Sequence, residues 1–339
     1  MTNRGRPTIV DVAKAAGVSV ATVSYVLSGK RPIGPEATER VRRAIGELNY
    51  RPNPNAQALK ATRNNLISVM VSDWREMIIL PMLEGIESAA RERGYHLTFN
   101  STKEFDEDLP AAIDHLVKKA IDGVLFVSGI AHEEPLDGFP PLEIPVVGVN
   151  RPVRDEAPAV LCDNADGGYR AARHLLEAGA TRPAVVAGPM DRAANRNRLA
   201  GFRRALDEAH IDLPDELIFM GDFEAPSGAT GLASLLEHTP AVDGVFCTND
   251  AMAAGAIAHA TRAGLDVPRR VRILGFDNQK FASLLSVPLS SFSLPGETMA
   301  RTGVRTLISM VEDASAPFTR IMVRSELHAR ESTIGLNEF

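Results

Sequence analysis

One short stretch decides the fold at the start of the chain, and it reads Thr8-Ile-Val-Asp-Val-Ala-Lys-Ala-Ala-Gly-Val-Ser-Val-Ala-Thr-Val-Ser-Tyr-Val-Leu-Ser-Gly29. Thr8 followed by Asp11 is a helix-capping pair, and the apolar residues behind it recur at the spacing of an amphipathic helix. Gly17 ends that helix, and a second helix begins directly after Ser19. Two short helices joined by a tight glycine turn predict a helix-turn-helix.

A third helix is predicted after this pair. Pro35 suits the first turn of a helix, and an apolar stripe follows through Val41, Ala44, Ile45 and Leu48. Three helices of this size predict a small all-α head over residues 1–50. Basic residues that could contact phosphates surround the bundle, namely Lys30, Arg31, Arg40, Arg42, Arg43 and Arg51.

Charge is divided unevenly along the chain. The 339 residues include 37 Lys and Arg and 43 Asp and Glu, which gives a formal net charge of −6. The first 65 residues hold 11 basic and 4 acidic residues, a net charge of +7, and the remainder carries −13. A basic head on an acidic body suggests a polyanion as the partner of the head. A three-helix bundle without a DNA role is the alternative, because helix-turn-helix patterns are short.

Other features of the sequence argue against several classes of protein. Cys162 and Cys247 are the only cysteines, and neither lies in a pattern that could hold zinc. No apolar run approaches the ~20 residues that span a bilayer, and the polar, basic N-terminus does not resemble a signal peptide. We therefore expect a cytoplasmic protein with no membrane association, no metal site and no cofactor.

From Leu66 onward, short apolar runs alternate with amphipathic helical stretches. This alternation predicts parallel sheets flanked by helices, and roughly ten candidate strands are too many for one open sheet. We therefore expect two subdomains separated by a cleft. Ligands of such sheets bind at the carboxyl ends of the strands, where polar residues follow several of the apolar runs. These residues are Ser72, Asn150, Asn249 and Asp277.

The opening stretch, together with Asn49-Tyr-Arg-Pro-Asn53 and Ala56-Gln-Ala-Leu-Lys60, resembles the head of the LacI/GalR family of bacterial transcription regulators. The resemblance continues over nearly the whole chain. Its motifs in the body are Asp163-Asn164, Arg198-Leu-Ala-Gly-Phe202, Thr248-Asn-Asp-Ala-Met-Ala-Ala-Gly255, Gly275-Phe-Asp-Asn278 and Arg330-Glu-Ser-Thr333. It implies an all-α helix-turn-helix head and an α/β effector domain of two subdomains, which is similar to type I periplasmic binding proteins.

The resemblance also implies domain boundaries. A helix-turn-helix DNA-binding domain is expected at residues 1–50, a hinge helix and linker at 51–65, and an effector-binding and dimerisation domain at 66–339. The N-subdomain is expected at about 66–162 and 291–321, and the C-subdomain at about 163–290 and 322–339. The last two crossings between subdomains would then lie near Ser291 and Ile321.

The second helix is implied to read bases in the major groove through Val20, Ala21 and Tyr25. Val20 and Ala21 offer only van der Waals contact, best matched by a thymine methyl, whereas Tyr25 can form a hydrogen bond. Core packing of Val20 and a phosphate contact by Tyr25 are the alternatives. Neighbouring hydroxyls are expected to bind phosphate or to cap helices. The complete set of expected DNA-binding residues is Thr8, Ser19, Val20, Ala21, Thr22, Ser24, Tyr25, Lys30, Asn53, Ala56, Leu59 and Lys60.

The segment from Asn53 to Lys60 is too short to form a stable helix alone. The resemblance implies that two such hinge helices form side by side on DNA and insert Leu59 into the minor groove. A leucine wedge bends the duplex, and Lys60 favours the negative groove. A polar linker whose Leu59 packs on a neighbouring domain is the alternative.

The resemblance places small-molecule contacts at Ser72, Asn150, Arg198, Phe223, Asn249 and Asp277, and Trp74 could add an aromatic face. Such side chains can fix sugar hydroxyls and stack on a sugar ring. Asp277 could instead cap a helix, and Arg198 could form a structural ion pair. Asn249 with Asp250 could cap the following helix, and Trp74 could be a rim or core residue. Where the family usually has Asn-Pro-Phe, this chain reads Glu76-Met-Ile78, a departure from the usual pocket wall.

These features predict a homodimeric transcription regulator, a repressor, that binds a near-palindromic double-stranded operator and responds to a small sugar-like effector. A cytoplasmic ligand-binding protein or an enzyme on the same α/β fold is the alternative. The sequence contains no GxSxG elbow, no Walker A phosphate loop and no HExxH motif. We therefore expect no catalytic residues.

Overall fold

The computed structural model describes residues 7–28, 31–50, 64–71, 79–101, 121–128, 142–154, 157–313, 315–317 and 320–334. The chain separates into two compact units, Met1–Asn64 and Asn65–Phe339.

The first unit contains three helices in its described residues: α1 (Ile9–Ala16), α2 (Val20–Ser28) and α3 (Pro35–Glu47). Thr8 and Asp11 form a capping box, in which Thr8 N donates to Asp11 Oδ2 at 2.8 Å and Asp11 N to Thr8 Oγ1 at 3.4 Å. Gly17 ends α1 with φ 62°, a left-handed conformation that glycine adopts without a steric cost. The predicted helix-turn-helix is confirmed. Its core consists of Val12, Ala13, Ala16, Val23, Val41 and Ala44.

The second unit contains two sheets. Its strands, in chain order, are β1 (Leu66–Val71), β2 (His96–Ser101), β3 (Gly123–Val127), β4 (Val146–Val149), β5 (Ala159–Cys162), β6 (Pro183–Ala187), β7 (Ile218–Met220), β8 (Gly244–Cys247), β9 (Arg272–Asp277), β10 (Ser290–Ser293), β11 (Arg320–Val323) and β12 (Leu327–His328). The first sheet has the order β11-β5-β4-β3-β1-β2, and the second has the order β12-β10-β9-β8-β6-β7. All neighbouring strands are parallel except β10 and β12. This arrangement confirms the predicted α/β class with two subdomains.

Helices cover both sheets. Those in the described residues of this unit are α4 (Ile79–Glu92), α5 (Asn164–Glu177), α6 (Ala193–Glu208), α7 (Ala225–His238), α8 (Asp250–Arg262) and α9 (Gly296–Glu312). The pair α4 and α9 packs together, with α9 lying on β3, β4 and β5. The pairs α5 with α6 and α7 with α8 lie against the second sheet. Strands such as β3 and β6 are buried along their whole length, as expected for parallel sheets covered by helices.

The chain crosses between the two sheets three times: between β5 and α5, between β10 and α9, and between β11 and β12. The last two crossings lie a few residues beyond the expected positions at Ser291 and Ile321. β10 belongs entirely to the second sheet, because it pairs with β9 and the ring of Phe292 stacks on that of Phe276. β11 belongs entirely to the first sheet, because Val323 still pairs with Cys162. The crossings therefore occupy residues 294–295 and 324–326.

In the described parts of the chain, no single helix is long and apolar enough to cross a membrane. The two helices Ile9–Ala16 and Val20–Leu27, which are bent relative to each other, reach that length and apolar composition only when they are counted together.

Candidate functional site

The second helix of the head exposes the side chains that were expected to read bases. Val20 is 37% exposed and Tyr25 is 36% exposed, and Ala21 is exposed as well. Val23, on the opposite face, is fully buried in the core of the head. Core packing of Val20, the alternative considered from the sequence, therefore does not describe this helix. The exposed face offers methyl groups and one phenol.

The hydroxyl of Ser19 caps the start of α2. Ser19 Oγ accepts a hydrogen bond from Thr22 N at 3.1 Å and lies 2.8 Å from Thr22 Oγ1. Thr8 caps α1 in the same way, and Ser24 is half-buried. Exposed arginines surround these helices, namely Arg31, Arg40, Arg42 and Arg43. The head therefore combines a basic surface with a mainly apolar exposed face on α2.

Several of the predicted site residues lie outside the described residues. These are Lys30, Asn53, Ala56, Leu59 and Lys60 of the expected DNA-binding set, and Ser72 and Trp74 of the expected effector set.

In the second unit, Arg198 is the centre of a buried polar cluster. Its Nε donates to Asn164 Oδ1 at 2.9 Å, its Nη1 to the carbonyl of Thr248 at 2.5 Å, and its Nη2 to Asp277 Oδ1 at 3.4 Å. One face of the guanidinium covers the Phe276 ring, with Cζ 3.6 Å from the ring centroid. Arg198 is thus both a structural ion-pair partner and a side chain at the carboxyl ends of the strands.

Close packing of α5 against α6 places Arg198. A Cβ at Gly168 would lie 1.9 Å from the carbonyl oxygen of Arg198, and a Cβ at Gly201 would lie 1.9 Å from that of Ala165. Only glycine permits this approach of two helix backbones. The contact brings Asn164, at the start of α5, within hydrogen-bonding reach of Arg198.

Asp277 ends β9 and is largely buried, with a side chain 11% exposed. Burial raises the pKa of Asp277 to about 6, and Arg198 opposes this rise through its charge and its hydrogen bond. Asp277 does not cap a helix, since the short 3-10 helix that follows, Lys280–Leu284, has Gln279 before it and no side-chain cap. The helix-cap alternative for Asp277 is therefore wrong.

Phe223 and Asn249 form a second part of the same sheet edge. Asn249 caps α8 by accepting from Met252 N at 2.9 Å, and its Nδ2 donates to the carbonyl of Phe223 at 2.9 Å. The capping alternative for Asn249 is thus correct, and the same side chain also holds the Phe223 turn. A Cβ at Gly188 would lie 2.1 Å from the Phe223 ring, so this ring position requires glycine at the end of β6.

Asn195 was missed by the sequence reasoning. It is fully buried, accepts from Gly188 N at 2.9 Å and donates to the Gly188 carbonyl at 2.7 Å. Thr248 Oγ1 also accepts from Gly188 N at 2.9 Å. These bonds fix the strand end against which Phe223 rests. The only signal in the sequence was a polar residue in the first turn of a helix that follows a strand end.

Asn150 directly follows β4 in the first sheet, where it is buried and its Nδ2 donates to the carbonyl of Ser128 at 3.1 Å. It shares a backbone feature with Phe223 and Asp277, since all three have positive φ, at 63°, 72° and 107°. Non-glycine residues rarely adopt such angles, and they collect at functional sites.

Asp250 is a second buried acid beside this cluster. Ser291 Oγ donates to Asp250 Oδ1 at 2.6 Å, and Gln279 N donates to Oδ2 at 2.7 Å. Burial raises the pKa of Asp250 to about 8, and the charge of Asp277 adds to the rise. These bonds fix the turn that follows Asp277. No group of three or more His, Cys, Asp or Glu residues that could hold a metal ion lies in the described ranges.

Comparisons with known proteins agree for both units. The family described as bacterial regulatory proteins, lacI family, matches residues 8–53, and the family described as periplasmic binding protein-like domain matches residues 172–333. The HTH-type transcriptional repressor PurR of Vibrio vulnificus (strain CMCP6) is 30% identical over 334 residues, which cover 97% of this chain and 99% of that protein. The ribose operon repressor of Escherichia coli (strain K12) is 30% identical, over 96% of this chain and 99% of that protein.

Solved structures support the same assignment. The transcriptional regulator CelR in complex with cellobiose is 31% identical, has a TM-score of 0.69 and covers 96% of this chain and 100% of its own. The lac repressor dimer bound to operator and the anti-inducer ONPF has a TM-score of 0.80, covering 98% of this chain and 100% of its own. At 24% identity it supports the fold alone.

The two named relatives are transcriptional repressors, so the expectation of a DNA-binding regulator is confirmed and the enzyme alternative is wrong. Because similarity to such relatives extends along nearly the whole chain, and the head matches the family model, the chain belongs to the LacI family of bacterial regulatory proteins.

Proposed function

We propose that this regulator is a repressor whose operator affinity is controlled by an uncharged, sugar-like molecule bound at the carboxyl ends of the second sheet. One observation carries the proposal. The guanidinium of Arg198 is already neutralised by the carboxylate of Asp277, and this buried pair lies at the same sheet edge as the ring of Phe223.

The charge of the cluster favours a neutral ligand. Three N–H groups of Arg198 are committed to Asn164, Thr248 and Asp277, and one face of the guanidinium is covered by a ring. A ligand carboxylate or phosphate would meet the negative charge of Asp277, while the positive charge of Arg198 is already paired with that carboxylate. Hydroxyls, by contrast, can donate to Asp277 and accept from the remaining N–H groups of Arg198. An aromatic face such as that of Phe223 suits the apolar side of a sugar ring.

Two named relatives favour the same chemistry. One is a ribose operon repressor, and another was solved in complex with cellobiose. We transfer from them only the class of ligand, a neutral polyhydroxyl compound.

Thermal-shift measurements on the full-length protein test the ligand. The probes are D-ribose and cellobiose as neutral sugars, and D-gluconate and glucose 6-phosphate as charged analogues. A neutral sugar at a hundredfold excess over its Kd should raise Tm by roughly 5 °C. Asp277→Asn should lose the shift, whereas Asp215→Asn, on a side chain 97% exposed, should keep it. A shift produced only by the charged compounds, or one that survives Asp277→Asn, contradicts the proposal.

For DNA, we propose that Val20 and Ala21 contact thymine methyls, that Tyr25 forms a hydrogen bond to a base, and that the basic residues of the head position it on phosphates. We also retain Leu59 as the minor-groove wedge and Lys60 as its basic neighbour. In vitro selection from random duplexes should return near-palindromic sites. Leu59→Ala should weaken binding to a selected site more than binding to random DNA, and equal losses reject the wedge.

We further propose that the regulator acts as a homodimer in the cytoplasm. A relative of the same fold was solved as a dimer on operator DNA, and Leu284 exposes 82% of its surface on the second unit. Light scattering coupled to size exclusion should give twice the mass of 36.5 kDa at micromolar concentration. A monomer under these conditions contradicts the proposal.

A further inference from the structure

A column of stacked side chains begins at the candidate effector site. Arg198 lies over the ring of Phe276, with Cζ 3.6 Å from its centroid. The Phe276 ring stacks on the ring of Phe292, with centroids 6.1 Å apart and planes at 22°. The guanidinium of Arg170 lies 5.3 Å from the Phe292 centroid. The column thus reads Arg198, Phe276, Phe292, Arg170, and both rings are buried.

The far end of the column reaches the crossings between the two sheets. Arg170 Nη1 donates to the carbonyl of Ser325 at 2.7 Å, and Ser325 lies in the crossing between β11 and β12. Ser325 Oγ is 3.7 Å from the Sγ of Cys162, at the end of β5 and thus at the first crossing. The next residue, Glu326, accepts from Ser293 N at 2.7 Å, just before the second crossing. One end of the column therefore lies in the effector site and the other where all three crossings meet.

A second connection runs through the backbone. Asp277 has φ 107°, and its carbonyl accepts from Leu294 N at 3.3 Å, in the crossing between β10 and α9. This connection joins the same two places without using the column. The two routes can be separated by experiment, because Arg170 belongs to only one of them.

We propose that Arg170 is a positioning residue for the effector response: the column through Phe292 and Phe276 transmits a change at Arg198 to the carbonyl of Ser325, and so to the angle between the subdomains. The proposal rests on the proposed effector site, but Arg170 itself contacts Phe292, Ser325 and Asp166, not the polar cluster around Arg198. Tightly packed rings cannot tilt singly, so a reorientation of Arg198 displaces the whole column. A coupling of this kind needs a measured interaction between its two ends.

Hydrogen–deuterium exchange of the full-length protein, without any effector, measures that interaction. Asp277→Asn serves as the perturbation, because it removes the charge beside Arg198 at nearly constant shape. Peptides covering residues 320–328 should exchange at least threefold faster in Asp277→Asn than in the wild type. In an Arg170→Met background, the same Asp277→Asn change should alter this exchange by less than a factor of 1.5.

Two control backgrounds distinguish coupling through the column from a general loss of stability around residues 320–328. Cys162→Ala removes the contact between Sγ and Ser325 without touching the column, so Asp277→Asn should keep its threefold effect there. Arg173→Met, on the same helix as Arg170 but paired with Glu177 on the surface, should also keep it. Arg170 has a side chain 41% exposed, so its variant should fold, and Arg170→Lys is the second variant if it does not.

Two results overturn the proposal. If Asp277→Asn leaves residues 320–328 unchanged, the effector site is not coupled to the crossings by this column. If Asp277→Asn accelerates exchange equally with and without Arg170, a route that does not use Arg170 carries the coupling instead, such as the backbone contact with Leu294 or the bonds from Arg198 through Asn164 to the carbonyl of Cys162. Either result leaves the proposed ligand class intact, because ligand binding is measured separately by thermal shift.

Discussion

Replacing Arg198 with methionine tests the buried ion pair on which the proposed effector site depends. The Arg198 side chain is 7% exposed, and the change removes a donor from Asn164, from the Thr248 carbonyl and from Asp277. Breaking a buried pair by removing one partner costs about 3–5 kcal/mol, because the remaining carboxyl must either stay charged without a partner or take up a proton to remain buried. We expect a loss of this size in the free energy of unfolding at pH 8.

The loss should depend on pH in a defined direction. The pKa of Asp277 is about 6 with Arg198 present, and removal of Arg198 raises it further. Below pH 6 the Asp277 carboxyl is protonated in both folded proteins. Its protonation therefore contributes equally to the free energies of unfolding of the wild type and of Arg198→Met. Above pH 6 it ionises in the wild type but not in the variant, and the deficit grows by about 1.4 kcal/mol per pH unit. The deficit should therefore be roughly 2–3 kcal/mol larger at pH 8 than at pH 5.

Urea denaturation of the full-length protein, followed by far-ultraviolet circular dichroism at pH 5 and pH 8, measures both quantities. Arg203→Met is the matched control, since Arg203 lies on the same helix and pairs with the exposed Asp215. It should leave the free energy of unfolding nearly unchanged at both pH values. In an Asp277→Asn background the same Arg198→Met change should give a deficit that does not depend on pH, because no carboxyl titrates at position 277 in either protein. An Arg198→Met deficit that is equal at pH 5 and pH 8 would refute the ion-pair reasoning.

Four further substitutions test a buried acid, the packing of an aromatic ring and the helices of the head. Asp250 keeps its proton up to about pH 8 in the folded protein but loses it near pH 4 when unfolded, so stability should fall by about 1.4 kcal/mol per pH unit from pH 6 to pH 8. Asp250→Asn should remove that slope in urea titrations, and an unchanged slope would assign it to another group. Gly188→Ala should displace the Phe223 ring, cost about 1–3 kcal/mol of stability and abolish the sugar-induced rise in Tm. A retained rise would mean that the ring does not contact the ligand. Thr8→Ala removes the cap of α1 and should destabilise the head by about 1 kcal/mol. Gly46→Ala, where a new Cβ would meet open space, should stabilise the head by about 0.5–1 kcal/mol. Thermal unfolding of the full chain measures both changes. If Thr8→Ala causes no loss of stability, the capping box does not contribute measurably to the stability of the head.

Much of the head could be predicted from the sequence because its signals are local. The capping box joins Thr8 and Asp11, and the turn at Gly17 depends on the backbone freedom of one residue. Helical periodicity also separated buried Val23 from exposed Tyr25. All of these contacts lie within a few positions along the chain, so residue order and spacing were enough to place them.

The strand ends of the body could be predicted for a similar reason. A buried parallel strand is a short apolar run, and the polar residue that follows it marks the carboxyl end. This rule placed Asp277 at the end of β9, and Asn150 and Asn249 within two residues after the ends of β4 and β8. The same rule could not predict which of these side chains cap helices and which form hydrogen bonds or ion pairs with residues of other elements.

By itself, the sequence determined the helix-turn-helix, the α/β class and the family of this protein. Only the tertiary structure decided that Arg198 pairs with Asp277, which lies 79 residues further along the chain, and that Asn249 caps a helix while holding Phe223. It also decided that Asp250 is buried against Ser291. Local patterns follow from spacing within one element, whereas these contacts depend on how closely two elements pack. No spacing along the chain encodes that distance.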